Sequence, residues 1–326
     1  MKAILQTGYG PPSVLQLQEC EKPSPKDNEV LVRVHASSVN ALDWRLFTFP
    51  LWVRRLIGQG FRQPKHRSCG ADVAGTVEAV GAGVTQFRTG DAVFGTTRGA
   101  FAEYVCPRED RLVQKPASVS FEAAAAVPVA GLTALQALRD VGKVQPGQKV
   151  LINGAGGGVG TFAVQIAKAL GAHVTAVCST RNQEVARSLG ADEVIDYTRE
   201  DFTAGDRRYD VIVNVNGYQS MLTCARALTP DGIYVWVGGS LAAMLQTWFS
   251  GSLLSRFGRR KFRGAMANSN QKDLLALKEL LETGKVVPAI DRRYPLARAA
   301  EAIDYLLAGH ASGKVVITVD TETTTH

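Results

Sequence analysis

The stretch VLINGAGGGVGTFAVQIAKALGAHVTAVCSTR, residues 150 to 181, sets five glycines between a short apolar run and a helix-like segment. Val150 to Ile152 supply a buried strand, and Gly154, Gly157 and Gly160 fall three apart at its end. Only a chain lacking side chains turns that tightly and lets backbone N–H groups meet a pyrophosphate. Val159, Ala163, Ile166 and Leu170 follow at helical spacing, which predicts a helix whose positive amino end faces the turn. A second strand, HVTAVC, comes at the right distance and completes a βαβ unit. Alone, such a loop is equally a flexible surface turn; inside that unit it predicts a dinucleotide site. The missing GK[ST] ending argues against a phosphate loop of the nucleotide triphosphatase kind.

The end of the second strand selects the dinucleotide. Asp or Glu there usually meets a free ribose 2′-hydroxyl, whereas a 2′-phosphate needs small polar groups and a cation. This chain has Cys178, Ser179, Thr180 and Arg181. That stretch holds no carboxylate to repel a phosphate and Arg181 can pair with one, so NADPH is expected over NADH. The alternative is that Arg181 is a solvated surface charge.

Two textures divide the chain. Residues 1 to about 120 carry short β-type runs broken by turn residues, such as EVLVRVHASSV, DVAGTVEAVGAGV and GDAVFGTT, and read as a mostly β domain. From SFEAAAAVPVAGLTALQAL onward, helical stretches alternate with KVLING, HVTAVC, DEVIDY, YDVIVNV and GIYVWVGG, the pattern of a parallel sheet with crossover helices. The expected domains are 1–120 and 121–267. Residues 268–326 read as two helices and a last strand, GKVVITVD.

Composition narrows the classes. With 45% hydrophobic and 21% charged residues, the 326-residue chain has a globular balance and little room for long disorder. Five cysteines without a CxxC pair indicate neither a disulfide scaffold nor a structural zinc lobe, and fit a reducing cytosol. The start, MKAILQTGYG, reaches Gly and Pro too soon for a signal-peptide core. No apolar run nears the roughly 20 residues that cross a bilayer. A cytoplasmic protein without membrane insertion is expected. The net charge of +7 includes two basic runs, 54–67 and 256–264, with interleaved aromatic or aliphatic residues. Such runs suit nucleic acid or an anionic membrane, but a solvated face or an active-site rim is the expected role, with no nucleic-acid partner. His35, His66, His173 and His310 are isolated in sequence and read as surface or packing residues.

The chain resembles the medium-chain dehydrogenase/reductase superfamily, in its zinc-independent, quinone oxidoreductase-like branch. The resemblance runs nearly end to end and rests on SSVNALDW (37–44), CGADVAGTVEAVGAGV (69–84), GDAVFG (90–95), AVPVAGLTALQAL (126–138), the glycine motif, LGADEVIDY (189–197) and GKVVI (313–317). It implies a GroES-like mostly β domain, completed by residues 268–326, and an α/β Rossmann domain with a doubly wound parallel sheet, cofactor and substrate meeting in the cleft between them. Asn40 stands where zinc-using relatives carry their first Cys ligand, and Ala71 where the His of a GHE motif would be, so no metal is expected.

The resemblance also implies contacts. Asn40, Trp44 and Thr133 would lie by the nicotinamide and substrate. Gly157, Gly158 and Val159, with Gly154 and Gly160, would meet the pyrophosphate; Ser179, Arg181 and Tyr197, with Thr180, the adenosine 2′-phosphate. Asn214, Val215, Gly238, Gly239 and Ser240 would follow the next strands. Lys314 would reach the cofactor or be a strand-edge charge. A homodimer pairing sheet edges around GIYVWVGG is implied as well.

Without a metal to polarise a plain ketone, quinones and α,β-unsaturated carbonyls are the easier hydride acceptors, because the added charge spreads over an enolate or hydroquinone. Orientation in a dry cleft would then do most of the catalysis. Asn40 would donate a hydrogen bond to the substrate oxygen, and Asp43 would orient the loop rather than act as acid. Residues 40 to 50 include no Tyr to serve as proton donor. Trp44, Phe47, Phe49, Leu51 and Trp52 would wall an apolar pocket or fill the barrel core. Two rival functions stand beside this one: an enoyl reductase of a biosynthetic pathway, and a scaffold that holds NADPH without turnover.

Overall fold

The structure, a computed structural model, describes residues 1–41, 43, 64, 67–215, 219–239, 245–309 and 311–319. The chain forms two units: Met1–Val129 with Ser269–Glu282 and Ile290–His326, and Ala130–Asn268 with Thr283–Ala289. The division therefore lies at Val129/Ala130 rather than near 121, and a short return segment rejoins the second unit.

The first unit is built on strands β1 (Lys2–Gln6), β2 (Leu15–Glu19), β3 (Val30–Val39), β4 (Asp72–Val80), β5 (Ala92–Thr96), β6 (Tyr104–Val105) and β7 (Leu112–Gln114). Along β3, Val32, Val34 and Ala36 are buried while Arg33 and His35 between them are half-buried, the two-residue period of a sheet covered on one face. Past Ala36 the period stops, and Ser37, Ser38 and Val39 are all buried. That end of β3 is covered on both faces, so its polar side chains must find partners inside the protein. The second unit holds β8 (Lys149–Asn153), β9 (His173–Cys178), β10 (Glu193–Asp196), β11 (Tyr209–Val215), β12 (Leu228–Val237) and β13 (Lys261–Gly264). The chain then returns to the first unit with β14 (Ile290–Pro295) and β15 (Lys314–Thr318), giving the order β14-β15-β3-β4-β5-β7, with β6 on β3. Val32, Val73, Val93, Phe101, Val315 and Ile317 are fully buried in its core. Each such side chain stabilises by about 1.5–3 kcal/mol relative to exposure.

All six strands of the second sheet are parallel, in the order β10-β9-β8-β11-β12-β13. Counted from β8 this is 3-2-1-4-5-6, the doubly wound order, which reverses between β8 and β11. Helices α1 (Phe121–Ala125) and α2 (Pro128–Gln136) precede this sheet, α3 (Gly158–Ala169) links β8 to β9, and α4 (Gln183–Ser188) precedes β10. Of the helically spaced set Val159, Ala163, Ile166 and Leu170, Ala163 and Ile166 are buried and the outer two half-buried, while residues 160–167 are all buried, so α3 is covered on more than the one face that the spacing predicts. Helix α5 (Met221–Ala225) lies before β12, and α6 (Ser252–Phe257) before β13. Helices α7 (Gln271–Glu282) and α8 (Ala299–Leu307) are the two expected near the end of the chain.

One expectation is corrected here. GIYVWVGG is not a sheet edge, because β12 lies between β11 and β13. Among the described strands the edges are β10 and β13. No helix is long and apolar enough to cross a membrane, among the described residues.

Candidate functional site

In a parallel sheet all strands end on one side, so Asn153, Cys178, Val215 and Val237 bring the loops after β8, β9, β11 and β12 to one edge. Gly154 opens the first loop with φ +87, and a Cβ there would lie 2.2 Å from the Val215 carbonyl oxygen. A Cβ on Gly160 would lie 2.1 Å from the Gly154 carbonyl, so the loop closes only without side chains. Around Gly157 the space is open, with 3.6 Å to the nearest atom, and Gly157 caps α3 without any side-chain hydrogen bond. The N–H groups of Gly158, Val159 and Gly160 therefore open a helix that nothing in its own cap satisfies, and this suits a diphosphate.

Beneath this edge runs a buried polar chain. Asn153 Nδ2 donates to Asn214 Oδ1 at 2.7 Å, and Asn214 Nδ2 donates to the Tyr234 hydroxyl at 2.8 Å. Burial pushes that hydroxyl above its ordinary pKa. Asn214 thus turns its side chain into the sheet and leaves backbone at Val215 to face the loop. Gly238 and Gly239 follow β12 with φ +68 and +117. Thr133 lies on α2, in the second unit.

At the end of β9, Ser179 is half-buried and Arg181 is exposed. The expectation that no carboxylate stands here is corrected by the register, which sets Asp196 beside Cys178. Asp196 Oδ2 accepts from Thr180 Oγ1 at 2.5 Å and Gln183 Nε2 at 3.0 Å; Oδ1 accepts from Thr198 N–H at 3.0 Å and Thr198 Oγ1 at 2.7 Å. The hydrogen bonds from Thr180 and Thr198 hold its pKa at about 2. Each oxygen already has two donors, so Asp196 is not free to grip a ribose diol, and the Thr180 hydroxyl is engaged too. Tyr197 is exposed, with its N–H on the Cys178 carbonyl at 3.2 Å.

The first unit gathers a buried polar cluster where β3, β4 and β15 meet. Asp72 is fully buried, and its Oδ2 accepts from Ser38 Oγ at 2.5 Å and Asn40 Nδ2 at 2.8 Å, while Oδ1 accepts the Val129 N–H at 2.8 Å. Lys314, 3% exposed, donates to Asn40 Oδ1 at 2.6 Å and the Val39 carbonyl at 3.1 Å, with Asp72 Oδ2 at 3.5 Å. Burial pulls the Lys314 ammonium below its usual pKa, and the Asp72 and Asp43 charges oppose this. The strand-edge role for Lys314 is corrected: β15 lies between β14 and β3, and the three ammonium protons all meet acceptors inside the unit.

Asn40 is corrected in the same way. Its Nδ2 points at Asp72 and, at 3.3 Å, at the Ser38 carbonyl, so both amide protons are engaged and none remains for a substrate oxygen. Asp43 Oδ2 accepts the Asn40 N–H at 2.7 Å, and the Asp43 N–H returns to the Asn40 carbonyl at 3.0 Å. This reciprocal pair ties residues 40 and 43 together. Asp43 is half-buried as a residue, yet protein surrounds its carboxyl closely enough that desolvation, aided by the Asp72 charge, raises its pKa to about 7. The turn places Asp43 near Cys69, whose thiol burial pushes up to about 12.

Asn40, Asp43 and Lys314 are thus brought together, and Asp72 and Ser38 join them unforeseen. An Asp inside the apolar run ADVAGTV was itself a signal, since a buried carboxylate needs partners. Trp44 and Ser240 lie outside the described residues, as do Phe47, Phe49, Leu51, Trp52, His66, His310 and most of the 54–67 run. Among the described residues no group of three His, Cys, Asp or Glu side chains could hold a metal. His35 packs, bonding Thr76 Oγ1 at 3.0 Å and stacking on Phe121 at 4.3 Å.

The chain matches two family models: alcohol dehydrogenase GroES-like domain over residues 26–117 and zinc-binding dehydrogenase over residues 189–317. It is 33% identical to a chloroplast envelope quinone oxidoreductase homolog of Arabidopsis thaliana, over 97% of this chain and 98% of that protein. It is 34% identical to a mitochondrial NAD(P)H oxidoreductase of Homo sapiens, over 90% of this chain and 82% of that protein. The solved quinone oxidoreductase of Coxiella burnetii superimposes with a TM-score of 0.86 at 32% identity, covering 98% of this chain and 99% of that one.

Proposed function

Because the chain belongs to the medium-chain dehydrogenase/reductase family, in its quinone oxidoreductase-like branch, we propose that it is a zinc-independent, NADPH-dependent reductase of quinones or α,β-unsaturated carbonyls. The carrying observation is the Lys314 ammonium 2.6 Å from Asn40 Oδ1. The positive charge that a metal would bring to this position is already present as a buried lysine, and the donor set around it is an amide, a hydroxyl and two carboxylates already engaged by N–H and O–H groups. A plain ketone would lack its Lewis acid there, whereas a conjugated acceptor spreads the added charge itself.

A bound nicotinamide cofactor supplies the hydride. The N–H groups of Gly158, Val159 and Gly160 receive its diphosphate, and Arg181 with Ser179 receives the 2′-phosphate. In the first unit, Asp72 and Lys314 hold the Asn40 amide in one orientation, and Asn40 N–H in turn fixes Asp43. Asp43, with a pKa near neutrality, holds a proton that can pass to the reduced acceptor. Asp43 is therefore assigned the acid role as well as the orienting one. The protein is further proposed to be cytoplasmic and a homodimer, with β13 as the strand whose free edge pairs.

The test is absorbance-followed oxidation of NADPH, with NADH in parallel, against quinones, enones and simple aldehydes, with metal content assayed on the same sample. NADPH-dependent turnover of a quinone or enone by metal-free protein supports the reading. Aldehyde reduction that requires zinc, or tight NADPH binding without turnover of any acceptor, overturns it.

A further inference from the structure

The glycine motif contains a fifth glycine, Gly156, to which the diphosphate assigns no task. Its φ lies outside the left-handed region, so the backbone does not demand glycine there. The constraint is spatial. A Cβ on Gly156 would lie 2.2 Å from Asn182 Nδ2, 2.7 Å from its Cγ and 2.8 Å from its Cβ. The Asn182 amide therefore fills the place of the missing side chain, and both residues are buried. Asn182 also stands at the amino-terminal cap of α4, where an asparagine ordinarily accepts from the first helical N–H groups. It makes no such bond, and its side chain is seated in the glycine loop instead.

This contact joins two loops. Asn182 ends the single turn Thr180–Asn182 that follows β9, and its N–H donates to the Ser179 carbonyl at 2.9 Å. At the other end of the turn, the Thr180 hydroxyl is held by Asp196. Arg181 lies between these two anchors, and it is exposed while Asn182 is buried. The glycine loop is tied to the same strand, since the N–H groups of Gly154 and Ala155 both donate to the Val177 carbonyl, at 3.1 and 3.0 Å. A long cationic side chain on a loose turn must be ordered when its ligand arrives, which weakens binding; on a braced turn less ordering remains to be done.

We propose that Asn182 is a positioning residue for cofactor choice: seated on Gly156, it holds the turn of Ser179 and Arg181 in register with the diphosphate loop, so that the chain selects the 2′-phosphate of NADPH. This rests on the NADPH reading above and gives the fifth glycine its reason.

The test is titration calorimetry of NADPH and NADH with the full chain, with Asn182→Ala, with Arg181→Ala and with the double variant. The readout is the ratio of the NADH to the NADPH dissociation constant, because a damaged fold or a displaced glycine loop weakens both cofactors alike. Asn182→Ala is expected to lower the ratio by about tenfold, as the loss of a charge-assisted hydrogen bond would. Added to Arg181→Ala, it should change the ratio by less than about twofold, since it acts through that arginine. Gly156→Ala, which drives the Asn182 amide out of the same place, should lower the ratio too and tests the contact from the other side if Asn182→Ala does not fold. An unchanged ratio, or an equal rise of both constants, would leave Asn182 a packing role only and overturn the proposal. A further tenfold fall in the double variant beyond Arg181→Ala overturns it as well, because Asn182 would then act independently. A parent that binds both cofactors equally overturns the NADPH reading, and this proposal with it; a parent whose preference is lost in Arg181→Ala but kept in Asn182→Ala overturns this proposal alone.

Discussion

Replacing Lys314 by Met removes the ammonium that lies 3.5 Å from Asp72 Oδ2 in the buried cluster. The Asp72 carboxylate is fully buried, and in the variant it keeps Ser38 Oγ, Asn40 Nδ2 and the Val129 N–H but loses its counter-charge. Breaking a buried pair from one side costs about 3–5 kcal/mol, and the three surviving donors place this site near the lower end, about 3 kcal/mol. Adding Asp72→Asn removes the stranded charge. Asn40 can then rotate its amide so that Oδ1, released by the lysine, accepts from the new side chain. The double variant should therefore cost less than the sum of the single ones by about 1.5–3 kcal/mol. Urea unfolding of the four proteins measures this, and the acceptor KM reports separately whether Asn40 keeps its orientation. Additivity within about 0.5 kcal/mol would show that lysine and carboxylate do not act as a pair, and the reasoning would fail.

Two further outcomes follow from the site. Asp43, with its pKa raised from 3.8 to about 7, keeps in the folded state a proton that the unfolded chain releases, so stability should fall as pH rises through that window. Asp43→Asn, whose Oδ1 still accepts the Asn40 N–H, should flatten that slope, lower kcat and abolish the loss of rate above about pH 7; a parent profile flat to pH 9 would refute the acid role. Arg181→Ala should raise the KM for NADPH by about tenfold or more, the worth of a charge-assisted hydrogen bond, and leave NADH unchanged. An equal change for both cofactors would return Arg181 to the solvated surface.

The parallel sheet was legible because β8 to β12 are apolar runs of strand length bounded by glycine and polar turns. Strand β13 escaped notice because KFRG lies inside a basic run, and β14 because IDRRYP carries charges that an edge strand tolerates. The glycine loop was legible because its glycines sit between an apolar strand and a helix inside a βαβ unit, where close backbone approach at Gly154 and Gly160 admits no side chain. The Asn40 role went astray for a different reason: which acceptor takes an amide proton depends on Asp72, 32 residues away, and Lys314, 274 away. Asp196 likewise enters the β9 end only through sheet register, which no local pattern specifies.

Strand β15 carries Lys314 into a cluster otherwise made by β3 and β4, 242 residues earlier at Asp72. On a ribosome the strands of the amino-terminal unit emerge first, yet that unit is the last to be finished. The dinucleotide unit between them, with nearer partners in sequence, can close sooner. Until residue 314 arrives, Asp72 has no cation, and β3 shows a bare edge where β15 will lie. The order of synthesis thus lets the glycine loop form before the buried cluster of Asp72 and Lys314 exists. A chain cut short ahead of its final strand would be a nucleotide binder with an open sheet edge, and a substrate for chaperones rather than an enzyme.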